Sequence, residues 1–350
     1  MPASLLKPLS WILLACAAAA IATAQEGQGV YADPGPPSNR VYQKALDDFS
    51  LKSYDAAVER LLALFERSSG RSFSPGEKGR VGLKVYADSG PGLSTPEALV
   101  EAVVRALVRR GYERGDIFLL GLSRPELRSS GFLPPLSHRS ERFNQVFVRS
   151  LDSGEYYHEN WFYDSPLPAR GTEYWINVES ENPGGSEEGR GRKSFLPVPL
   201  MHEVDFWINL PCYSDHPVLG VNGALMNATL WNASNTLRFM RSPATAPVAV
   251  AEMGAVPELR ERWALNIVSL ERYQFIGGPT FNSLYTVSEK LLLLSDNPVM
   301  LDAIMSKRIS RHRRENGFAP LPENLRMLAF SEQLGLGSGD LSSMRLIRAN

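Results

Sequence analysis

The residues best suited to do chemistry are concentrated in one stretch, Asn209-Leu210-Pro211-Cys212-Tyr213-Ser214-Asp215-His216-Pro217 followed by Gly220-Val221-Asn222-Gly223-Ala224-Leu225-Met226-Asn227-Ala228. A carboxylate beside an imidazole stabilises the imidazolium, which makes Asp215 and His216 candidates for an acid–base pair. Sequence neighbours seldom aim their side chains at each other, so a loop in which both satisfy backbone groups fits equally well. Ser214, Asn222, Gly223 and Asn227 are the candidate ligand contacts around the pair. Glycines and asparagines at this spacing suit a turn and helix start whose N–H groups hold an anion. The spacing matches neither a phosphate loop nor a dinucleotide fingerprint, and a purely structural turn is the competing reading.

Two further segments, Gly277-Gly278-Pro279-Thr280 and Ser295-Asp296-Asn297-Pro298, each follow an apolar run. If all the runs are strands ending at one rim, Gly277, Gly278 and Asp296 join the ligand contacts. Asp296 is equally placed to cap a helix beginning at Pro298. Asp302, inside that helix, is the third candidate catalytic residue, pointing either to the rim or to a cation of the run Lys307–Arg314. That run reads as a solvated helix end.

Metal ligands are sparse. Of five histidines, none forms an H-x-x-x-H or H-E-x-x-H pair. A carboxylate and amide set such as Asp215, Asn227 and Asp302 would suit Mg²⁺ or Ca²⁺ better than zinc, and no cofactor is expected. No serine or cysteine triad can be assembled, and Cys212 reads as a small buried hydrophobe.

The elements that must position these residues follow from periodicity. Asp55–Arg67 carries Val58, Leu61, Leu62 and Phe65 at helical spacing, and Val41–Phe49 suits a shorter helix before it. Val81–Val85 is a strand. Thr95-Pro96-Glu97 then starts a helix ending at Gly111, with Thr95 as cap, and Asp116–Leu120 is the next strand. Tyr174–Val178, Asp205–Leu210, Leu265–Ser269 and Lys290–Leu294 add strands, and Pro298 opens a helix through about Ile309. The polar stretch Glu179–Lys193 reads as an exposed excursion. Strand–helix–strand alternation predicts an α/β fold, a mainly parallel sheet with flanking helices in a single large domain over 39–350.

The amino terminus reads as an export signal. Lys7 precedes the apolar stretch Pro8–Ile21, and Ala22-Thr23-Ala24 forms a cleavage site, predicting a signal peptide over 1–24 and a flexible leader over 25–38. The stretch is short for a membrane span, and no transmembrane span is expected after cleavage. Leu13-Leu14-Ala15-Cys16 leaves lipid anchoring through Cys16 open. With no twin-arginine pair, any cofactor would be acquired after export. The expected compartment is periplasmic or extracellular. Cleavage leaves 326 of 350 residues and one cysteine, Cys212, which excludes an internal disulfide and a cysteine-ligated cluster. Lys and Arg total 37 against 38 Asp and Glu. Nothing in that balance demands nucleic acid, and the expected partner is a small molecule rather than nucleic acid.

These blocks together resemble the domain-of-unknown-function 362 family, in its signal-bearing bacterial branch. The likeness runs from about Asp55 to Ile347. It rests on Val81–Val85 with Ser94–Glu97, Asp205–Ala228, Gly277-Gly278-Pro279, Ser295–Asp302 and Gly335-Leu336-Gly337. The resemblance implies matching roles for Asp215, His216, Asn227, Asp296 and Asp302. Lysines usual in the family are replaced by Ser214 and Met226, an aspartate by Ser269, and another acid expected near Leu122 is absent. The expectation is a divergent, exported protein that binds a small polar or anionic ligand at the rim with His216 as acid–base group. The alternative is a catalytically silent binding or envelope-associated protein that keeps the fold.

Overall fold

A computed structural model of the protein describes residues 35–136, 138, 140–165 and 192–349. The expected signal, Cys16, most of the leader, the strand Tyr174–Val178 and most of the excursion after it lie outside the described residues.

The strands in chain order are β1 (Arg40–Ala45), β2 (Val81–Val85), β3 (Ile117–Gly121), β4 (Arg142–Phe143), β5 (Val146–Ser150), β6 (Phe162–Asp164), β7 (Lys193–Phe195), β8 (Phe206–Leu210), β9 (Ser214–His216), β10 (Gly220–Asn222), β11 (Trp263–Ser269), β12 (Tyr273–Gln274), β13 (Thr286–Val287), β14 (Leu291–Ser295) and β15 (Arg345–Arg348). Nine of them form one sheet in the order β15-β1-β14-β11-β8-β2-β3-β5-β4, and β6–β7, β9–β10 and β12–β13 are ribbons. β11, β8, β2, β3 and β5 run parallel. The protein is thus an α/β domain built on a mainly parallel sheet. From β2 the chain winds outward through β3 and β5, then returns to β8 on the other side of β2. The gap between β2 and β8 is therefore the point where the winding reverses, and loops leaving the carboxyl ends of these strands diverge there.

Burial explains why the central strands read as largely apolar runs. β2, β3, β8 and β11 are buried at every position, as strands covered on both faces must be. On one face, α1 (Leu51–Ser69) and α2 (Glu97–Arg109) press Tyr54, Val58, Leu61 and Val103 against Leu83, Ile208 and Ile267. The opposite face carries Leu120, Trp207 and Val268. They share a core with α4 (Ala224–Ala228), α5 (Ala246–Gly254) and α6 (Pro298–Glu315), while α3 (Arg124–Ser129) follows β3.

Two local expectations are corrected. The helix expected over Val41–Phe49 is strand β1, antiparallel to β14 and parallel to β15. Sheet pairing outweighs a weak helical spacing there, and Val41 and Tyr42 suit a strand. Thr95 does not cap α2, whose preceding residue is Pro96. Its hydroxyl accepts the Tyr86 N–H at 2.9 Å and donates to the Leu210 carbonyl at 2.6 Å, tying the loop after β2 to the end of β8.

Candidate functional site

Asp215 and His216 sit on β9, where successive side chains point to opposite faces. Asp215 therefore does not orient His216. Its carboxylate accepts the N–H groups of Gly278 at 2.7 Å and Gly277 at 3.2 Å and pairs with Arg313 at 2.9 Å. The His216 ring is buried, and its Nδ1 accepts the N–H groups of Val218 and Leu219 at 3.2 and 3.1 Å. With Nδ1 accepting, the proton belongs on Nε2, which lies 3.3 Å from Met240 Sδ. Burial pulls the imidazole down to about 4, so it is neutral at pH 7.

Asp302 is fully buried in the first turns of α6. It accepts the Tyr213 hydroxyl at 2.7 Å and the N–H groups of Ala224 and Leu225 at 2.7 and 3.1 Å. Burial pushes its carboxyl up to about 7 against the pull of these three bonds. The sequence reading left Asp302 facing either the rim or a cation; it faces the start of α4. The helix start expected to hold an external anion thus holds the protein's own carboxyl group. Gly223 permits this, because a Cβ there would lie 2.2 Å from the Tyr213 ring and 2.5 Å from Asp302 Oδ1.

Asn227 and Asn222 are interior as well. Asn227 donates to Asn209 at 2.7 Å, and Asn209 donates to Asn266 at 2.9 Å and to the Ala224 carbonyl at 2.8 Å. Asn222 accepts the Trp231 indole N–H at 2.8 Å. Asp296 departs furthest from expectation. β14 runs antiparallel to β11, so its carboxyl end leaves the sheet at the opposite rim. There Asp296 pairs with Arg71 at 2.8 Å and accepts the Ser38 N–H and hydroxyl at 3.2 and 2.8 Å. Asn297, rather than Asp296, caps α6 by accepting the Met300 N–H at 2.9 Å.

The residues actually brought together are Asp215, His216, Gly277 and Gly278. They line a cleft of about 500 Å³ whose remaining walls include Arg313, Arg326 and several prolines. Ser214 lies behind it, its hydroxyl buried with no hydrogen-bond partner. Gly278 is fixed by close approach, since a Cβ would fall 2.2 Å from the Asp215 carbonyl oxygen and 2.5 Å from Ser214 Oγ. Gly278→Ala is expected to cost about 2–4 kcal/mol in urea unfolding. Gly277→Ala, at φ +85° with open space around it, should cost only about 1 kcal/mol.

The sequence reading missed three groups. Arg313, in the run Lys307–Arg314 that reads as a solvated helix end, spans from α6 to Asp215. Lys84 is fully buried near the end of β2, and its ammonium donates to the Val85 carbonyl at 3.0 Å. Burial pulls that ammonium down and pushes the nearby Asp88 carboxyl up, each opposed by the other's charge. A lysine inside an otherwise apolar strand was the available signal. Among the described residues, no group of three or more His, Cys, Asp or Glu could hold a metal ion; of the set Asp215, Asn227 and Asp302, the two carboxylates are engaged elsewhere, whereas Asn227 Oδ1 is buried with no hydrogen-bond partner among the described residues. No described helix is long and apolar enough to cross a membrane.

No family model matches the chain, and no curated protein matches it. Among solved structures, one similar chain is a Thermotoga maritima protein, a target of the Northeast Structural Genomics Consortium. The two share 12% identity with a TM-score of 0.37, over 81% of this chain and 59% of that one. Likeness at that level says nothing of activity.

Proposed function

We propose that the protein is exported and binds a small anionic molecule in the cleft beside Arg313, without acid–base chemistry by Asp215, His216 and Asp302. The observation that carries this reading is the state of the Arg313 guanidinium. Its Nε donates to the Ala319 carbonyl at 2.6 Å, and its Nη1 donates to Asp215 at 2.9 Å and the Phe275 carbonyl at 3.2 Å. Nη2 has no partner among the described residues and is the donor left for a ligand. The three groups expected to move protons are instead committed to backbone N–H groups, Tyr213 and Arg313, which supports the catalytically silent alternative. The resemblance to a family without an assigned activity adds no reaction to this reading. Export rests on the segment Met1–Ala24; the intact mass of protein recovered from the cell envelope should begin at Gln25.

A thermal-shift screen of small carboxylates and phosphates tests the binding. Ligands should raise the melting temperature of the wild type, because binding to the folded state alone stabilises it. Arg313→Gln should abolish the shift, with Arg313→Lys retaining part of it. An unchanged shift in Arg313→Gln, or none with any compound, would reject the cleft as the site.

A further inference from the structure

A cavity of about 860 Å³ shares no lining residue with the Arg313 cleft. It opens where the loop after β2 becomes α2, between Pro91–Ala98, the end of α3 with Arg128–Gly131, and Glu271–Arg272 after β11. In a sheet wound outward from a central strand, the first strand-to-helix loop is where a ligand can approach backbone N–H groups.

Three independent features of this cavity point to an anion. First, the start of α2 is open. Thr95 spends its hydroxyl on Tyr86 and Leu210. The first backbone N–H accepted within the helix is that of Val100, and the N–H groups of Glu97, Ala98 and Leu99 have no acceptor among the described residues. Second, two arginines on the walls lack carboxylate partners among the described residues. Arg128 donates through Nε to the Pro134 carbonyl at 2.9 Å, and Arg272 through Nη1 to the Gly92 carbonyl at 2.8 Å. Each guanidinium keeps further donors unspent. Third, Ser130, another wall residue, is 6% exposed, and its hydroxyl finds no hydrogen-bond partner among the described residues. Buried hydroxyls are normally satisfied, so an unmet one beside a cavity calls for a missing partner.

Two carboxylates border the same space and limit what fits. Glu271 accepts the Tyr54 hydroxyl at 2.8 Å and is thereby engaged. Glu97 lies over Gly131, where a Cβ would meet its Oε1 at 2.2 Å. In the first turn it already complements the helix dipole, so an incoming anion competes with it.

We infer that this cavity is a second, separate binding site, for a small molecule whose oxyanion head, phosphate or carboxylate, is held by Arg128, Arg272 and the open amides of α2. Isothermal titration of the Arg313→Gln variant, which lacks the donor of the other cleft, with inorganic phosphate and with acetate is the test, the two arms separating the head groups. At least one should bind saturably at low ionic strength. Arg128→Ala combined with Arg272→Ala should weaken it tenfold or more, and the paired Lys substitutions should recover part of the loss. Glu97→Gln in the same background should strengthen it severalfold. In the Arg313→Gln background, binding that survives the added double alanine substitution, or that is absent for both anions, would overturn the assignment. Thermal unfolding of each variant separates lost binding from lost folding. The proposal for the Arg313 cleft stands or falls on its own variant.

Discussion

Asp302→Ala is expected to lower the unfolding free energy by about 3–5 kcal/mol, because it strands three buried donors at once. The Tyr213 hydroxyl and the N–H groups of Ala224 and Leu225 all converge on this carboxyl group, and none is exposed to water. Asp302→Asn should cost less, about 1–2 kcal/mol. Its carbonyl can still serve Tyr213 and Ala224, while its amide opposes the Leu225 N–H. Urea unfolding of both variants at fixed pH reads the difference. The result separates two roles for the residue. A group retained for catalysis is commonly removed at little cost to stability, or with a gain. An alanine variant as stable as the wild type would therefore end the structural assignment of Asp302 and reopen its place in an active site.

Replacing His216 should change how stability depends on pH, with an effect on the order of 3 kcal/mol across the titration window. The folded imidazole, pulled by burial from 6.5 to about 4, binds a proton less readily than the unfolded one. Its contribution is complete above pH 6.5 and is lost as the pH falls through 4. Asp302 has the opposite sign. Pushed from 3.8 to about 7, it contributes fully below pH 3.8 and loses that contribution as the pH rises through 7. Between pH 4 and 6.5 the two slopes oppose each other, which flattens the wild-type profile. His216→Gln removes only one of them, so its stability should decline with rising pH more steeply than the wild type's. Denaturant unfolding at half-unit steps from pH 4 to 7 measures both curves. Parallel curves would mean that His216 titrates as it does in the unfolded chain, which would restore it as a candidate acid–base group.

Much of the architecture was legible because it depends on local composition. Largely apolar runs marked β2, β3, β8, β11 and β14 to within a few residues, since strands covered on both faces have no solvent-facing polar side to show. Helix α1 was readable from Val58, Leu61, Leu62 and Phe65. Strand β1 was not, because its stability comes from pairing with β14 and β15, partners far away in sequence. The candidate site was legible in residue type and misleading in arrangement. Asp215, Gly277 and Gly278 do meet. Asp296 does not join them, for a reason that no local pattern carries: β14 enters the sheet antiparallel, which sends its following loop to the far rim.

What the sequence determined by itself is the α/β class, the central strands, the scarcity of metal and redox ligands, and the polar segment around Asp215. These follow from side-chain chemistry and periodicity, which are properties of short windows. Tertiary structure decided which polar groups face a cleft and which are spent inside. Strand alternation turned His216 away from Asp215, the position of α6 delivered Asp302 to α4 and Arg313 to Asp215, and Thr95 left its helix to bind Leu210. Each depends on where a second, distant backbone group comes to lie. That is a long-range property, and it converts residues that look catalytic in sequence into hydrogen-bond partners of the protein's own interior.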